Sequence, residues 1–319
     1  MSRVARFLST EQSFPIPLGS QIGEGSVRGY YIDMRVKAAE PALPPSWARF
    51  SDKTLWVAIA QWALGAYEHY LESGDDRWLT GMRDAGEFLL RNVGDDGGLW
   101  QTFLLGHTFP LAPRWISAMA QGQAASVLVR LHLATGEDRY ADGALRVVEP
   151  LYVDTPDGGT RAYLDGGPWL EEYPTDPPSF VLNGGIFAMW GLYDVAVGLG
   201  DDRARREWGL CAGTFHRNVH RWDTGHWSRY DLFPHPFLVN VASLAYHALH
   251  MNQLRAMQRI APDDRVAQVL ARFEGYADSA ALRARAFAAK SAFRLAVPRN
   301  SRLARVWPGP VRGSLRAAA

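Results

Sequence analysis

Between Trp169 and Thr175 the chain reads WLEEYPT, and SFVLNG follows at 179–184. Glu171, Glu172, Tyr173 and Asn183 thereby set two carboxyls, a phenol and a carboxamide just ahead of a long apolar segment. A solvated loop does not need that mixture, whereas carboxyls and phenols can exchange protons with a substrate and a carboxamide can hold its hydroxyls. Two later pieces carry related groups: Tyr230-Asp231-Leu232, and YHALHMNQL at 246–254. Tyr246, His250 and Gln253 recur at i, i+4 and i+7 and so share one face of a helix, with His247 and Asn252 beside the stripe. Upstream, WISAMAQGQ at 115–123 places Gln121 and Gln123 around Gly122 in an apolar helix. A buried carboxamide without a partner is costly, so Gln121, Gln123 and Asn183 are expected to bind backbone or sugar hydroxyls.

The histidines offer little for a metal. His247 and His250 stand at i, i+3 without a third ligand. His216 and His220 are spaced like a zincin pair but lack the glutamate between them, which reads as a surface helix. No metal site is expected.

The elements that must position these groups follow from a repeat. Three turns align: LESGDDRW at 71–78, LATGEDRY at 133–140 and GLGDDR at 198–203. Their glycines Gly74, Gly136 and Gly200 lie 62 and 64 residues apart, a period suited to stacked helical hairpins. Glycine can supply a left-handed C-cap, and the acids after it suit the next helix N-terminus. Longer glycine-rich loops with aromatics, DDGGLW at 95–100, DGGTRAY at 157–163 and DTGHW at 223–227, alternate with these turns. That alternation predicts an all-α fold, an incomplete α/α toroid of about four helical hairpins, with helices 116–134 and 180–199 on the inside. Residues 1–45, with Pro15, Pro17, Pro41, Pro44 and Pro45 and a short strand expected at Tyr30–Met34, form an extended N-terminal arm. The toroid domain then covers 46–275, and 276–319 forms an amphipathic, solvated helix with a basic tail.

Composition narrows the partners. With 47% hydrophobic residues in 319, the chain can bury a sizeable core. Lys and Arg total 34 against 33 acids, so no global field gathers nucleic acid or an anionic membrane. The single cysteine, Cys211, excludes an internal disulfide framework and fits a reducing compartment. The first twenty residues lack an apolar run long enough for a signal-peptide core, so a cytoplasmic location is expected. The apolar run 180–200 contains Asn183, Asp194 and several glycines and is read as a buried inner helix, not a membrane span.

In this order, from about residue 110 to 258, the motifs around Trp115, Trp169, Tyr230 and Tyr246 resemble the C-terminal domain of the D-glucuronyl C5-epimerases. The resemblance implies a cofactor-independent isomerase that inverts C5 of glucuronate to iduronate in a polysaccharide or oligosaccharide, as a homodimer. It implies Tyr173, Tyr230 and Tyr246 as catalytic phenols with Glu172 assisting, because these positions match the family's motifs. Such chemistry needs the substrate carboxylate neutralised and an acid and a base on opposite ring faces. Arg114 is the first candidate for that carboxylate, since a guanidinium grips it bidentately. Gln121, Asn183, His247, His250 and Trp169 are expected to line the substrate cleft, and Trp169 and Trp227 to stack on sugars. In the animal epimerases Tyr-Asp-Leu runs on into Arg-His, whereas Phe233-Pro234-His235 follows here. The missing charge is then expected from Arg229, Arg114 or His235. Their β-rich N-terminal domains have no expected counterpart in the first 45 residues. A polysaccharide lyase abstracting the same C5 proton is the alternative. A glycosidase using Glu171, Glu172, Asp165 or Asp223 ranks below it, and a non-catalytic glycan-binding protein is the reading from another class.

Overall fold

The computed structural model describes residues 17–19, 22–44, 55–103, 108–109, 111–235 and 238–297. The basic tail after 297, and Pro15 and Pro45 of the arm, lie outside the described residues. The helices are α1 (Trp56–Ser73), α2 (Asp76–Asn92), α3 (Ala118–Thr135), α4 (Asp138–Val147), α5 (Leu182–Gly198), α6 (Asp202–Asn218), α7 (Leu244–Ile260), α8 (Asp264–Asp278) and α9 (Ala280–Ala296). Two short antiparallel hairpins stand between them: β1 (Trp100–Gln101) with β2 (Trp115–Ile116), and β3 (Arg161–Leu164) with β4 (Gly167–Leu170). The fold is all-α, as the sequence predicts.

The three repeated turns do what their residues dictate. Gly74, Gly136 and Gly200 all take positive φ, near 70°, where a side chain would be strained. Asp75 and Asp201 then cap α2 and α6 by accepting from the N–H groups of Arg77 and Ala204. Pairs α1–α2, α3–α4, α5–α6 and α7–α8 make four hairpins, and α1, α3, α5 and α7 pack against one another in succession. Helices α3 and α5 are buried on every side over Ala118–Leu131 and Leu182–Ala196. They cross where Gly191 meets Gly122, so closely that any Cβ on Gly191 would collide with the Gly122 backbone.

Two expectations change. Tyr30–Met34 is not a strand: only Leu18 and Ile32 make an isolated bridge, and Tyr30, Tyr31, Ile32 and Met34 are all at most 1% exposed. They plug the core, with Tyr31 stacked on Trp190 of α5 at 4.5 Å, so this piece of the arm is interior packing. Helix α9 is not a wholly solvated end, because Ala286, Lys290 and Phe293 are buried against the body. Among the described residues no helix is long and apolar enough to cross a membrane. The one ion in the middle of α5, Asp194, is bonded to Arg130 of α3 with both side chains 0% exposed.

Candidate active site

Glu171 ties together the walls that bring the tyrosines near one another. Its N–H donates to Thr160 O at 2.8 Å and its carbonyl accepts from Ala118 N–H, at the start of α3, at 3.0 Å. Its fully buried carboxylate accepts from the N–H groups of Ser179 (2.9 Å) and Phe180 (3.0 Å) and from the Ser179 hydroxyl. Those bonds hold Phe180 at φ 46°, a region an aromatic residue avoids without such support. The turn then zips to the Tyr-Asp-Leu segment: Leu232 N–H donates to Ser179 O and Leu182 N–H to Tyr230 O, both at 3.1 Å. Tyr230 N–H donates in turn to Asn240 O at 2.7 Å.

The three predicted phenols share one apolar floor. Tyr230 is buried with Phe109 and Val181, and Tyr173, Tyr246 and Phe233 pack on that cluster. Tyr246, placed by the Ser243 N-cap of α7, meets the Tyr230 ring edge-to-face at 5.0 Å. Tyr173 stacks on Phe109 at 4.7 Å and lies 5.8 Å from Trp115. Glu172, 7% exposed, rests its carboxyl on Gly184 in the first turn of α5. The positive end of the helix dipole favours an anion there, and only glycine lets it approach so closely.

Several expected cleft residues are framework. Gln121 is wholly buried; its amide donates to Gly97 O and Val147 O and its carbonyl accepts from Leu99 N–H at 2.8 Å. Every bond it offers goes to backbone, so no sugar hydroxyl is left to it. Trp169, 1% exposed, stacks on Trp222 at 4.8 Å with its edge on Gly185, and Trp227 stacks on His247 at 3.8 Å. Neither offers a free face. His247 Nε2 lies 3.0 Å from Phe273 O, so it must donate, which leaves Nδ1 to accept from the Ser228 hydroxyl. Ser228 Oγ then accepts from His250 Nδ1 at 3.0 Å. The two histidines are neutral links between α7, α8 and the Ser228 segment. Asn183 gives its backbone carbonyl to Gln253 Nε2, and its buried side-chain oxygen has no hydrogen-bond partner among the described residues. Among them, too, no group of three His, Cys, Asp or Glu could hold a metal.

The basic side chains differ in burial. Arg114, exposed at φ 67°, lies on the rim with its guanidinium 5.2 Å from the Trp100 ring centroid. His235 Nε2 lies 3.4 Å from Asp231 Oδ2 and its ring packs on Phe233 and Phe293, while Arg229 is half-buried with its backbone N–H on Trp222 O. Below lies a cation the sequence reading passed over, Lys290 of α9, 7% exposed and 5.2 Å from the Tyr230 ring centroid. Its signal was present: Ala286, Lys290 and Phe293 recur at i, i+4 and i+7, so a lysine stands in an otherwise apolar stripe. Of the carboxyls a glycosidase would need, Asp165 is bonded to Arg221, Asp223 to Arg272, and Glu171 is a buried clamp.

Glu171 and the histidines make stability respond to pH in opposite senses. Burial pushes the Glu171 carboxyl up from 4.5 to about 7, against the pull of the Ser179 and Phe180 donors. Burial lowers His247 from 6.5 to about 4 and His250 well below 6.5. The fold holds the Glu171 proton more tightly than the unfolded chain, so that contribution is complete below 4.5 and lost as pH rises through about 7. The histidines' contribution is present above 6.5 and lost as pH falls toward about 4. In Glu171→Gln the opposing titration is gone. Acidification from about pH 7 to about pH 5 then lowers the urea midpoint more steeply than in the parent; an equal or shallower fall would mean that Glu171 stays ionised in the fold.

The family model described as D-glucuronyl C5-epimerase C-terminus matches residues 95–275. The D-glucuronyl C5-epimerase of Caenorhabditis elegans is 32% identical over 212 residues, covering 60% of this chain and 34% of that protein. An uncharacterized protein of Methanocaldococcus jannaschii is 28% identical over 131 residues, covering 40% of this chain and 42% of that one. The chain thus matches about a third of the length of the first relative and about two fifths of the second.

Proposed function

The chain belongs to the D-glucuronyl C5-epimerase C-terminus family, and from that premise we propose that it inverts C5 of glucuronate residues in a polysaccharide or oligosaccharide, without a cofactor. The observation that carries the reading is the meeting of Tyr173, Tyr230 and Tyr246, from three distant segments, around one floor of Phe109 and Val181. Abstracting the C5 proton leaves charge that spreads onto the adjacent carboxylate, so acceleration comes from a well-placed base, an opposed acid and a stabilised enediolate. Tyr230 and Tyr246, edge to face at 5.0 Å, supply one side of the sugar ring. Tyr173, held by Phe109 and Trp115, supplies the other, and Glu172 takes up or returns its proton. We place the substrate along the rim that carries Trp100, Arg114 and Trp115, in a cleft closed on one side by an incomplete toroid of the four hairpins.

A lyase shares the first step and then expels the C4 substituent. Incubation with a glucuronate-rich polysaccharide in deuterated water separates the two. Deuterium at C5 by NMR without ultraviolet absorbance from unsaturated uronate supports the epimerase; unsaturation assigns a lyase; neither signal across several uronans leaves a glycan-binding protein.

A further inference from the structure

The turn ahead of α5 has one hydroxyl proton for two acceptors. Ser179, wholly buried, places its Oγ within hydrogen-bond reach of Glu171 Oε2 and 3.0 Å from the Tyr173 carbonyl. A serine hydroxyl carries one proton and two lone pairs, so it donates to one of these oxygens at a time. Glu171 decides which. With a proton on Oε2, the carboxyl donates to Ser179 Oγ, and the hydroxyl proton goes to Tyr173 O. Once that proton is lost to solvent, the hydroxyl turns to the carboxylate, the stronger acceptor, and lets Tyr173 O go. The N–H groups of Ser179 and Phe180 donate to the carboxyl in either state, at 2.9 and 3.0 Å.

Tyr173 O also accepts from Thr175 N–H at 2.8 Å, but that bond closes within its own turn. The Ser179 bond crosses to the piece of chain that is zipped to the Tyr230 segment through Ser179 O and Leu182 N–H. It therefore bears on the spacing of two phenols that come from distant segments.

We propose that Ser179 is a positioning residue of the site, locking the Tyr173 backbone to the Tyr230 segment while Glu171 is protonated and releasing it when Glu171 is ionised. The consequence for catalysis rests on reading Tyr173 as an acid or base; the link itself does not. Burial raises the Glu171 carboxyl to about 7, and the adjacent Glu172 adds to its hold on the proton, so both states are populated near neutrality. The other charged groups on the elements around it are engaged elsewhere. Arg161 of β3 is bonded to Asp154 and Glu207, and Arg221 in the turn 219–222 to Asp165. Arg229 and Asp231 of the Tyr230 segment attract one another, and Arg217 of α6 lies by Gly167 at the far end of β4. Helices α3 and α5 begin with AMAQ and LNGG, which bring no titratable group.

The test reads the Tyr173 carbonyl directly. Tyr173-Pro174 is the one Tyr-Pro pair in the chain, so carbon-13 in tyrosine carbonyls and nitrogen-15 in proline single it out by their coupling. In the parent its NMR shift is expected to move, in the sense of a lost hydrogen bond, as pH rises through about 7. It should stay flat in Ser179→Ala, which lacks the hydroxyl, and in Glu171→Gln, which has nothing to titrate. A flat parent, or a movement that survives in either folded variant, overturns the link. C5 exchange is followed alongside. Ser179→Ala should slow it by up to about 100-fold with KM kept, the cost of a reacting group displaced by about an ångström. Its remaining rate should lack the parent's decline as pH rises through about 7. An undiminished rate, or the same decline, overturns the positioning role. A carbonyl that titrates as expected in a protein that exchanges no C5 hydrogen removes the epimerase reading and leaves the link standing.

Discussion

Tyr230→Phe is expected to cut C5 deuterium exchange by on the order of 10²- to 10⁴-fold, the usual worth of a positioned acid or base, while leaving oligosaccharide binding nearly unchanged. The substitution removes one oxygen from a ring whose packing on Phe109, Val181 and Tyr246 stays, and the backbone bonds to Asn240 and Leu182 do not involve the side chain. Loss of rate with KM kept would therefore report proton transfer and not a collapsed pocket. Tyr173→Phe should be as damaging but different in kind, because we place it on the opposite side of the ring. If Tyr230 removes the proton from glucuronate, Tyr230→Phe abolishes both exchange and inversion. Tyr173→Phe then abolishes inversion yet lets the remaining base return solvent deuterium to the face it came from. Residual exchange without inversion in one variant and neither in the other assigns base and acid. Retention of more than about a tenth of the rate in Tyr230→Phe would exclude that phenol from proton transfer, since such groups are worth at least about a hundredfold.

What was legible beforehand, and what was not, divides by how far apart the interacting residues lie. The hairpin turns were readable because Gly74 and Asp75 settle them alone: a left-handed cap and a side-chain acceptor two residues away. The three tyrosines were readable as motifs in order. The roles of the other polar residues were not, because their partners come from elsewhere: Gln121 bonds Gly97 and Val147, His247 reaches Phe273, and Trp169 is covered by Trp222 and Gly185. A sequence marks such a side chain as buried and polar without saying whether protein or ligand satisfies it. Tyr30–Met34 has β-favouring residues, yet the aromatic slot beside Trp190 decided its conformation. Lys290 was missed for the converse reason. In an Ala- and Arg-rich helix a lysine reads as solvated, and only the packing of α9 on α7 and α8 turns that face inward.

Asp194→Ala is expected to lower stability by about 3–5 kcal/mol, the cost of stranding a buried charge. The Arg130 guanidinium donates to both Asp194 oxygens (2.6 and 3.2 Å), to Gly29 O (2.7 Å) and to Ser126 O (2.9 Å), and the Tyr31 hydroxyl donates to the same carboxylate at 2.6 Å. Three groups on the arm and α3, the Gly29 and Ser126 carbonyls and the Tyr31 hydroxyl, thus depend on one pair. Arginine cannot shed its proton, so removal of Asp194 leaves a cation that water must enter to solvate, between two helices buried on every side there. Arg130→Met is expected to cost less than Asp194→Ala, because a lone Asp194 can take up a proton and lose its charge. Removing both charges in Arg130→Met with Asp194→Leu should recover part of the loss, but not all, since the Gly29 carbonyl and Tyr31 hydroxyl would remain buried without partners. Urea unfolding of the two single variants and the double measures this directly. Single losses near about 1 kcal/mol, the common effect of any substitution, would mean that the arm is held by its aromatic packing on Trp190 and not by the pair. A large loss should instead appear together with faster proteolysis within residues 22–44, because Gly29 and Tyr31 are the points at which the arm is bonded to Arg130 and Asp194.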